Sequence, residues 1–459
     1  AAAAVAKPLQ TNAERQCDEK FGSGLVKSYR DSRSVWCGGG ESEVACYAHQ
    51  YAHNGRVGHF CVAKNVVVDF AEVRGGASPK KPPRGAQMYH GFGNGALRAN
   101  CKKTAEWRDG VLMPHAKPML QRLETSDAPV SAAAAARETA PTYLLARDED
   151  CENMFHSTAD HLNAYLVSEV LGEDRSAWQT VLFDRMPDGP FKHLIERTFS
   201  PKKPLRRAAD YGGKAVAFDE LIFHLESPAG IVFPKVAGPK GIMTCKASSL
   251  WLGYRAAVLD GFGLLHAPPP KVPHVLLSVR RRTAAKATGR VFADEAALER
   301  VVKSGNAMTS EVLDLGSLPF DQQVAKMRRT NVLVGAHGAG LMHVLFLADE
   351  AVLLEIHPSY RLDRHFRLAA RMADKVYLPL RSTRPVQCKG TSDAIPVDEG
   401  DFRAALDAAL RVARSFDDGV SECGLVCDGR VLALDEGNKG HLPPGATPFS
   451  TRFPCGRRR

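Results

Sequence analysis

The 459-residue sequence has no Asn-X-Ser/Thr sequon, no Cys-X-X-Cys pair and no stretch near the ~20 apolar residues that a membrane-spanning helix needs. The missing stretch excludes a spanning helix. Tight cysteine pairs mark zinc ribbons and fingers, so their absence, with Cys423 and Cys427 the one loose pair, argues against structural zinc. The opening AAAAVAKPLQ has neither the charged nor the apolar region of a signal peptide. If the protein belongs to the secretory pathway, an anchor or signal upstream of Ala1 is expected to have been removed. The lack of sequons favours no compartment. The basic runs Lys202 to Arg207 and Arg280 to Arg282 carry no interleaved aromatics on which bases could stack, and Arg457 to Arg459 is a terminal tail. Nucleic acid therefore ranks last among partners.

What is present is apolar mass, positive charge and cysteine. The chain is too long for one ordinary core, and its 44% hydrophobic content supports two or three domains. A net charge of +10 favours an anionic partner, whether nucleic acid, an acidic membrane surface or a phosphorylated small molecule. Of eleven cysteines, Cys17, Cys37, Cys46, Cys61 and Cys101 crowd the first quarter and Cys423, Cys427 and Cys455 the end. That distribution predicts disulfides and an oxidising compartment, with at least one thiol left over.

Along the chain, residues 1–105 read as a Cys-rich, irregular β region, 106–267 as a first α/β domain, 268–416 as a second and 417–459 as a Cys-containing tail. SPKKPPRG at 78–85 is a surface loop, and TYLLARDEDCENMFHSTADHLNAYLVSEVLG at 142–172 reads as strand, turn and helix. Proline-rich HAPPPKVPH is a stiff linker. Behind it strands and helices alternate, VLLSV at 275–279 first, which argues for a doubly wound sheet.

Three constellations carry candidate chemistry. His156 and Asp160 stand at i and i+4 of the predicted helix, so the carboxylate can orient the imidazole as a general base; a satisfied polar pair on a half-buried helix is the plainer reading. Arg280, Arg281 and Arg282 follow a predicted strand, where guanidinium forks suit phosphate or form a solvated basic loop. In NVLVGAHGAGLMHVLFLADEAVLLEIHP, Gly335, Gly338 and Gly340 surround His337 between two apolar runs, the second carrying Glu355. This is a strand, a tight loop and a helix whose backbone can approach a ligand. It has no Walker lysine and does not fit GxGxxG, which leaves the classical nucleotide loops out. Asp148-Glu149-Asp150 is better suited to complement a helix start than to bind metal.

The run FDQQVAKMRRTNVLVGAHGAGLMHVLFLADEAVLLEI resembles the signature of glycosyltransferase family 61, and ENMFHSTADHLNAYLV and VLLSVRRRT resemble its N-terminal helix and arginine strand. The three matches fall in order across roughly residues 142–416. Within the family the chain is most similar to the plant-type β-1,2-xylosyltransferases of the N-glycan core. The luminal O-linked N-acetylglucosamine transferases of EGF domains and dystroglycan are its relatives. The resemblance implies a GT-B fold, two Rossmann-like domains facing across a cleft, and inverting transfer from a UDP-sugar in the Golgi or endoplasmic reticulum lumen. UDP-xylose is the expected donor, UDP-N-acetylglucosamine the alternative, a glycan or glycoprotein the acceptor, and no metal is obligatory. It further implies that Arg280, Arg281, Gly335, His337, Gly338, Ala339 and Gly340 bind the diphosphate, with a structural hydrogen bond that holds the loop as the alternative role of His337, that Glu355 binds the ribose, that His156 or Asp160 is the base, and that Asn153 meets the acceptor. A catalytically silent glycan-binding module with the same fold is the competing reading.

Overall fold

In a computed structural model of the chain, the described residues are 12–50, 57–75, 88–105, 117–130, 134–147, 150–225, 247–281, 290–305, 308–358, 365–382 and 394–415. Arg282, Asp148 and Glu149, the 78–85 loop, and the cysteines of the tail lie outside them. The described residues divide into two compact units, one within 1–238 and 249–262, the other within 239–248 and 263–459.

The first unit is built on an eleven-stranded mixed sheet. Strands β1 (Ser34–Gly38), β2 (Glu43–Gln50) and β3 (Val57–Asp69) run antiparallel to one another. Strands β4 (Thr142–Leu145), β5 (Gln179–Leu182), β6 (Arg206–Arg207) and β7 (Ala215–Phe223) form the parallel half, in the order β6-β5-β4-β7. β7 then pairs antiparallel with β3, so the Cys-rich segment supplies the other half of the same sheet. Cys37–Cys101 and Cys46–Cys61 are disulfides, whereas Cys17 is buried outside both. The second bond joins directly opposed residues of β2 and β3.

Helix α1 (Met154–Leu171) crosses from β4 to β5. It starts where Asn153 Oδ1 accepts the Phe155 amide hydrogen (3.0 Å) and stops at Gly172, whose φ of 71° is left-handed. Between these caps most side chains are buried, the polar Ser157, Thr158, Asp160, His161, Asn163 and Ser168 among them, so the helix shows no single apolar stripe. Helix α2 (Ser249–Gly261) completes this unit, with Ser249 donating to Asp18.

The second unit is a parallel five-stranded sheet: β8 (His274–Ser278), β9 (Thr309–Leu313), β10 (Val332–Ala336), β11 (Val352–His357) and β12 (Val376–Arg381), in the order β9-β8-β10-β11-β12. β10 and β11 are buried at every position, because helices cover both faces of such a sheet. Val275, Val334, Leu354 and Ile356 pack with α3 (Glu295–Lys303) and α6 (Glu399–Ser415). Helices α4 (Phe320–Met327) and α5 (His365–Met372) pack with a 3-10 helix at Ala339–Phe346. Among the described residues no helix is long and apolar enough to cross a membrane.

Candidate active site

A sheet of this topology holds ligands outside the carboxyl ends of its strands, where the strand order reverses. Here that point lies between β8 and β10. Ser278 pairs with Gly335, so the segment carrying Arg280 and the 335–340 loop leave neighbouring strands side by side. The Arg280 guanidinium lies on Gly338: a Cβ there would sit 1.7 Å from Nη2 and 2.6 Å from Cζ. Gly338 has a φ of 161°, extended backbone open to any residue, so the glycine supplies room rather than conformation. Gly335 is likewise crowded, since a Cβ on it would stand 2.9 Å from Leu341 Cδ2, whereas a Cβ on Gly340 meets nothing within 4 Å.

Arg280 is a partly buried cation with a second cation beside it. Burial pulls its pKa down to about 10, the nearby Arg290 guanidinium pulls further, and Asp314 opposes them. Among the described residues no carboxylate forms an ion pair with Arg280. Arg290, which no motif marks in the sequence, adopts a left-handed φ of 62° and donates from Nη1 to the His337 carbonyl at 2.9 Å. A non-glycine residue held in that region is strained, and such strain concentrates at ligand sites. Arg281, expected beside Arg280, turns outward and pairs with Glu295 at 2.9 Å with its side chain 58% exposed. A desolvated guanidinium, with another repelling it, beside a glycine-lined loop favours an anion, which relieves the burial and the repulsion together.

The loop is held from beneath. His337 Nδ1 meets Glu355 Oε1 at 2.5 Å, and the His337 amide donates to the Ile356 carbonyl at 2.9 Å. Glu355 Oε2 accepts from the Tyr377 hydroxyl at 2.7 Å, and that hydroxyl lies 2.9 Å from His357 Nε2. Burial alone would raise the Glu355 carboxyl; His357 and His337 outweigh it and hold the pKa at about 2. Glu355 is fully buried with both oxygens engaged, so in this structure it anchors His337 and presents no oxygen to a ribose. Glu355 and His357, two apart on one strand, share a face, a signal present in the sequence. The cluster His337, Glu355 and His357 has metal-type donors within 4.8 Å of one another. Its contacts are nevertheless hydrogen bonds, and atoms sharing an ion at ~2.0–2.2 Å each would have to stand farther apart than His337 and Glu355 do.

In the first unit Asn153 caps α1, and His156 is half-buried one turn from the helix start. Asp160 is fully buried and faces His224, Nε2 to Oδ1 3.8 Å, while His224 Nδ1 meets the Tyr143 hydroxyl at 2.5 Å. Burial, with Asp160 adding to it, raises the Tyr143 phenol well above its usual range. Arg147 and Asp184 form a buried bidentate pair near the carboxyl ends of β4 and β5. Asp150 accepts the Glu152 amide hydrogen in the turn before α1.

Residues 143–354 match the model of the family Glycosyltransferase 61. That stretch, a little under half of the chain, is similar to the glycosyltransferases of family 61. It contains His156, Asp160, Arg280, Arg290 and the glycine loop, and it ends one residue before Glu355. The chain is 25% identical over 311 residues to the EGF domain-specific O-linked N-acetylglucosamine transferase of Drosophila melanogaster, covering 65% of this chain and 57% of the relative. It is 26% identical over 225 residues to the protein of that name from Mus musculus, covering 47% and 40%, and 24% over 226 residues to that from Gallus gallus. The chain spans about half the length of the curated relatives it matches.

Proposed function

We propose that the protein transfers a sugar, with inversion, from a UDP-sugar to a hydroxyl of a glycoprotein in the Golgi or endoplasmic reticulum lumen. The observation that carries this reading is the Arg280 and Arg290 pair on the glycine loop at the switch point, within the stretch similar to family 61. The guanidiniums and loop amides neutralise the diphosphate as it leaves, so no metal is needed for that step. His156 takes the proton from the acceptor hydroxyl: it is only partly buried, whereas Asp160 is fully buried and acts as a positioning residue within the His224 and Tyr143 set. The reading entails a GT-B division of labour, with the donor on the second unit and the base on the first. The two disulfides suit a luminal address.

The names of the relatives favour N-acetylglucosamine placed on an EGF domain. Xylose placed on the N-glycan core is the second reading, supported by the sequence resemblance. The test offers the purified chain UDP, UDP-N-acetylglucosamine and UDP-xylose, with an EGF domain and an N-glycan as acceptors. The productive nucleotide should raise the melting temperature and be consumed only with its matching acceptor. If no UDP compound shifts the melting temperature, the donor reading is wrong; binding without transfer to any acceptor leaves a silent module. Chelator should change little, and manganese-restored activity would refute the metal-free step.

A further inference from the structure

His343 lies in the 3-10 helix below the loop, nearly fully buried. Its Nδ1 is 2.7 Å from the Gly340 carbonyl, which can only accept, so Nδ1 carries a hydrogen. Its Nε2 is 2.7 Å from Oε1 of Gln323. The orientation of that amide is set by its other end, where Nε2 donates to the Leu318 carbonyl at 2.8 Å. His343 Nε2 must then carry a hydrogen too. Turning the Gln323 amide over suits a neutral ring but sets its oxygen against the Leu318 carbonyl. The site therefore fits an imidazolium, while burial works against one: it lowers the His343 pKa to about 4, with the Gly340 carbonyl opposing. The packed elements carry Asp321 and Lys326 on α4, His365, Arg367 and Arg371 on α5, and His337, Glu355 and His357 at β10 and β11. None of these perturbs His343.

We propose that His343 is a positioning residue of the donor loop and takes up one proton from solvent when a nucleoside diphosphate sugar binds. The inference rests on the donor-site reading above. The diphosphate supplies the negative charge that the buried imidazolium lacks. The protonated ring then satisfies both acceptors. Its bond to the Gly340 carbonyl steadies a peptide whose next amide, Leu341, donates to the Gly338 carbonyl at 2.8 Å, and it is on Gly338 that Arg280 rests. Proton addition breaks no covalent bond. Because binding raises the His343 pKa, affinity should fall as pH rises from the free value towards the bound one, and level off above it.

The test is calorimetry of the full chain with UDP-N-acetylglucosamine and UDP-xylose near pH 6, in two buffers of different ionisation enthalpy. These diphosphates are diesters and do not themselves titrate there. Wild type should take up about half a proton or more per nucleotide bound. His343→Gln should still bind, more weakly, with uptake near zero. Gln323→Glu provides a carboxylate that keeps the ring protonated without nucleotide; it should also abolish uptake, and it decides the matter if His343→Gln does not fold. Saturable binding without proton uptake in wild type, or unchanged uptake in the variants, overturns the role of His343 while leaving the donor site intact. No binding at all by folded wild type overturns the donor site and the inference together.

Discussion

Replacing Gly338 by alanine tests the donor site without touching a charged group. The new methyl would lie 1.7 Å from Arg280 Nη2 and 2.9 Å from Nη1, against ordinary contacts of 3.4–4 Å. The backbone at φ 161° accepts alanine, so the guanidinium gives way, by roughly 2 Å. That distance takes it out of hydrogen-bond range of an anion seated on the loop. A charge-assisted bond is worth ~1.5–3 kcal/mol, so UDP affinity should fall roughly 10- to 150-fold while the melting temperature without nucleotide moves little. Gly340→Ala is the control for fold, since its Cβ meets nothing within 4 Å. Calorimetric titration of Gly338→Ala, Arg280→Ala and the double variant forms a cycle. The two losses should be strongly non-additive, because both remove the same guanidinium. Wild-type affinity in Gly338→Ala, or a full second loss in the Arg280→Ala background, would refute the reasoning.

Glu355 should dominate acid sensitivity of the second unit. Its folded pKa of about 2 lies below the usual 4.5, so its ionised form contributes stability that is fully present above 4.5 and is lost as pH falls towards 2. At ~1.36 kcal/mol per pH unit this amounts to roughly 3 kcal/mol, and urea unfolding of Glu355→Gln should show a flatter profile over that window; an unchanged profile would remove Glu355 as its source. His156→Ala should lower turnover by ~10²–10⁴ with UDP-sugar affinity nearly intact, and full activity would take the base role from it. Mass spectrometry of unreduced protein should recover Cys37–Cys101 and Cys46–Cys61, with the Cys151 thiol, raised to about 11 by burial, alkylated only after unfolding. Cutting the first bond, which spans 64 residues, should cost roughly 4 kcal/mol in the loop-entropy account, and a cost near zero would count against it.

The sequence by itself determined the elements and their chemistry. The β-branched, largely apolar segments Val332–Ala336 and Val352–His357 suit buried strands of a parallel sheet, and the intervening glycines suit a loop that approaches something closely. Arg280 at a strand end and the His337 loop were legible for the same local reason, as was the His156 and Asp160 spacing on one helix. Tertiary structure alone decided which neighbours these side chains met. The local pattern marks Arg281, inside the arginine run, and not Arg290, yet it is Arg290 that stands near Arg280 while Arg281 turns outward to Glu295. Glu355 looked like a ribose ligand by its place in the chain, but strand register set Leu353 against Tyr377 on β12 and so brought the Tyr377 hydroxyl to its carboxylate. Asp160 and His156 share a helix, yet one is sealed against His224 and the other is only partly buried. Periodicity reports which face a residue takes; what covers that face is fixed by strands and helices far away in sequence, and burial and pairing there set the charge state on which the chemistry depends.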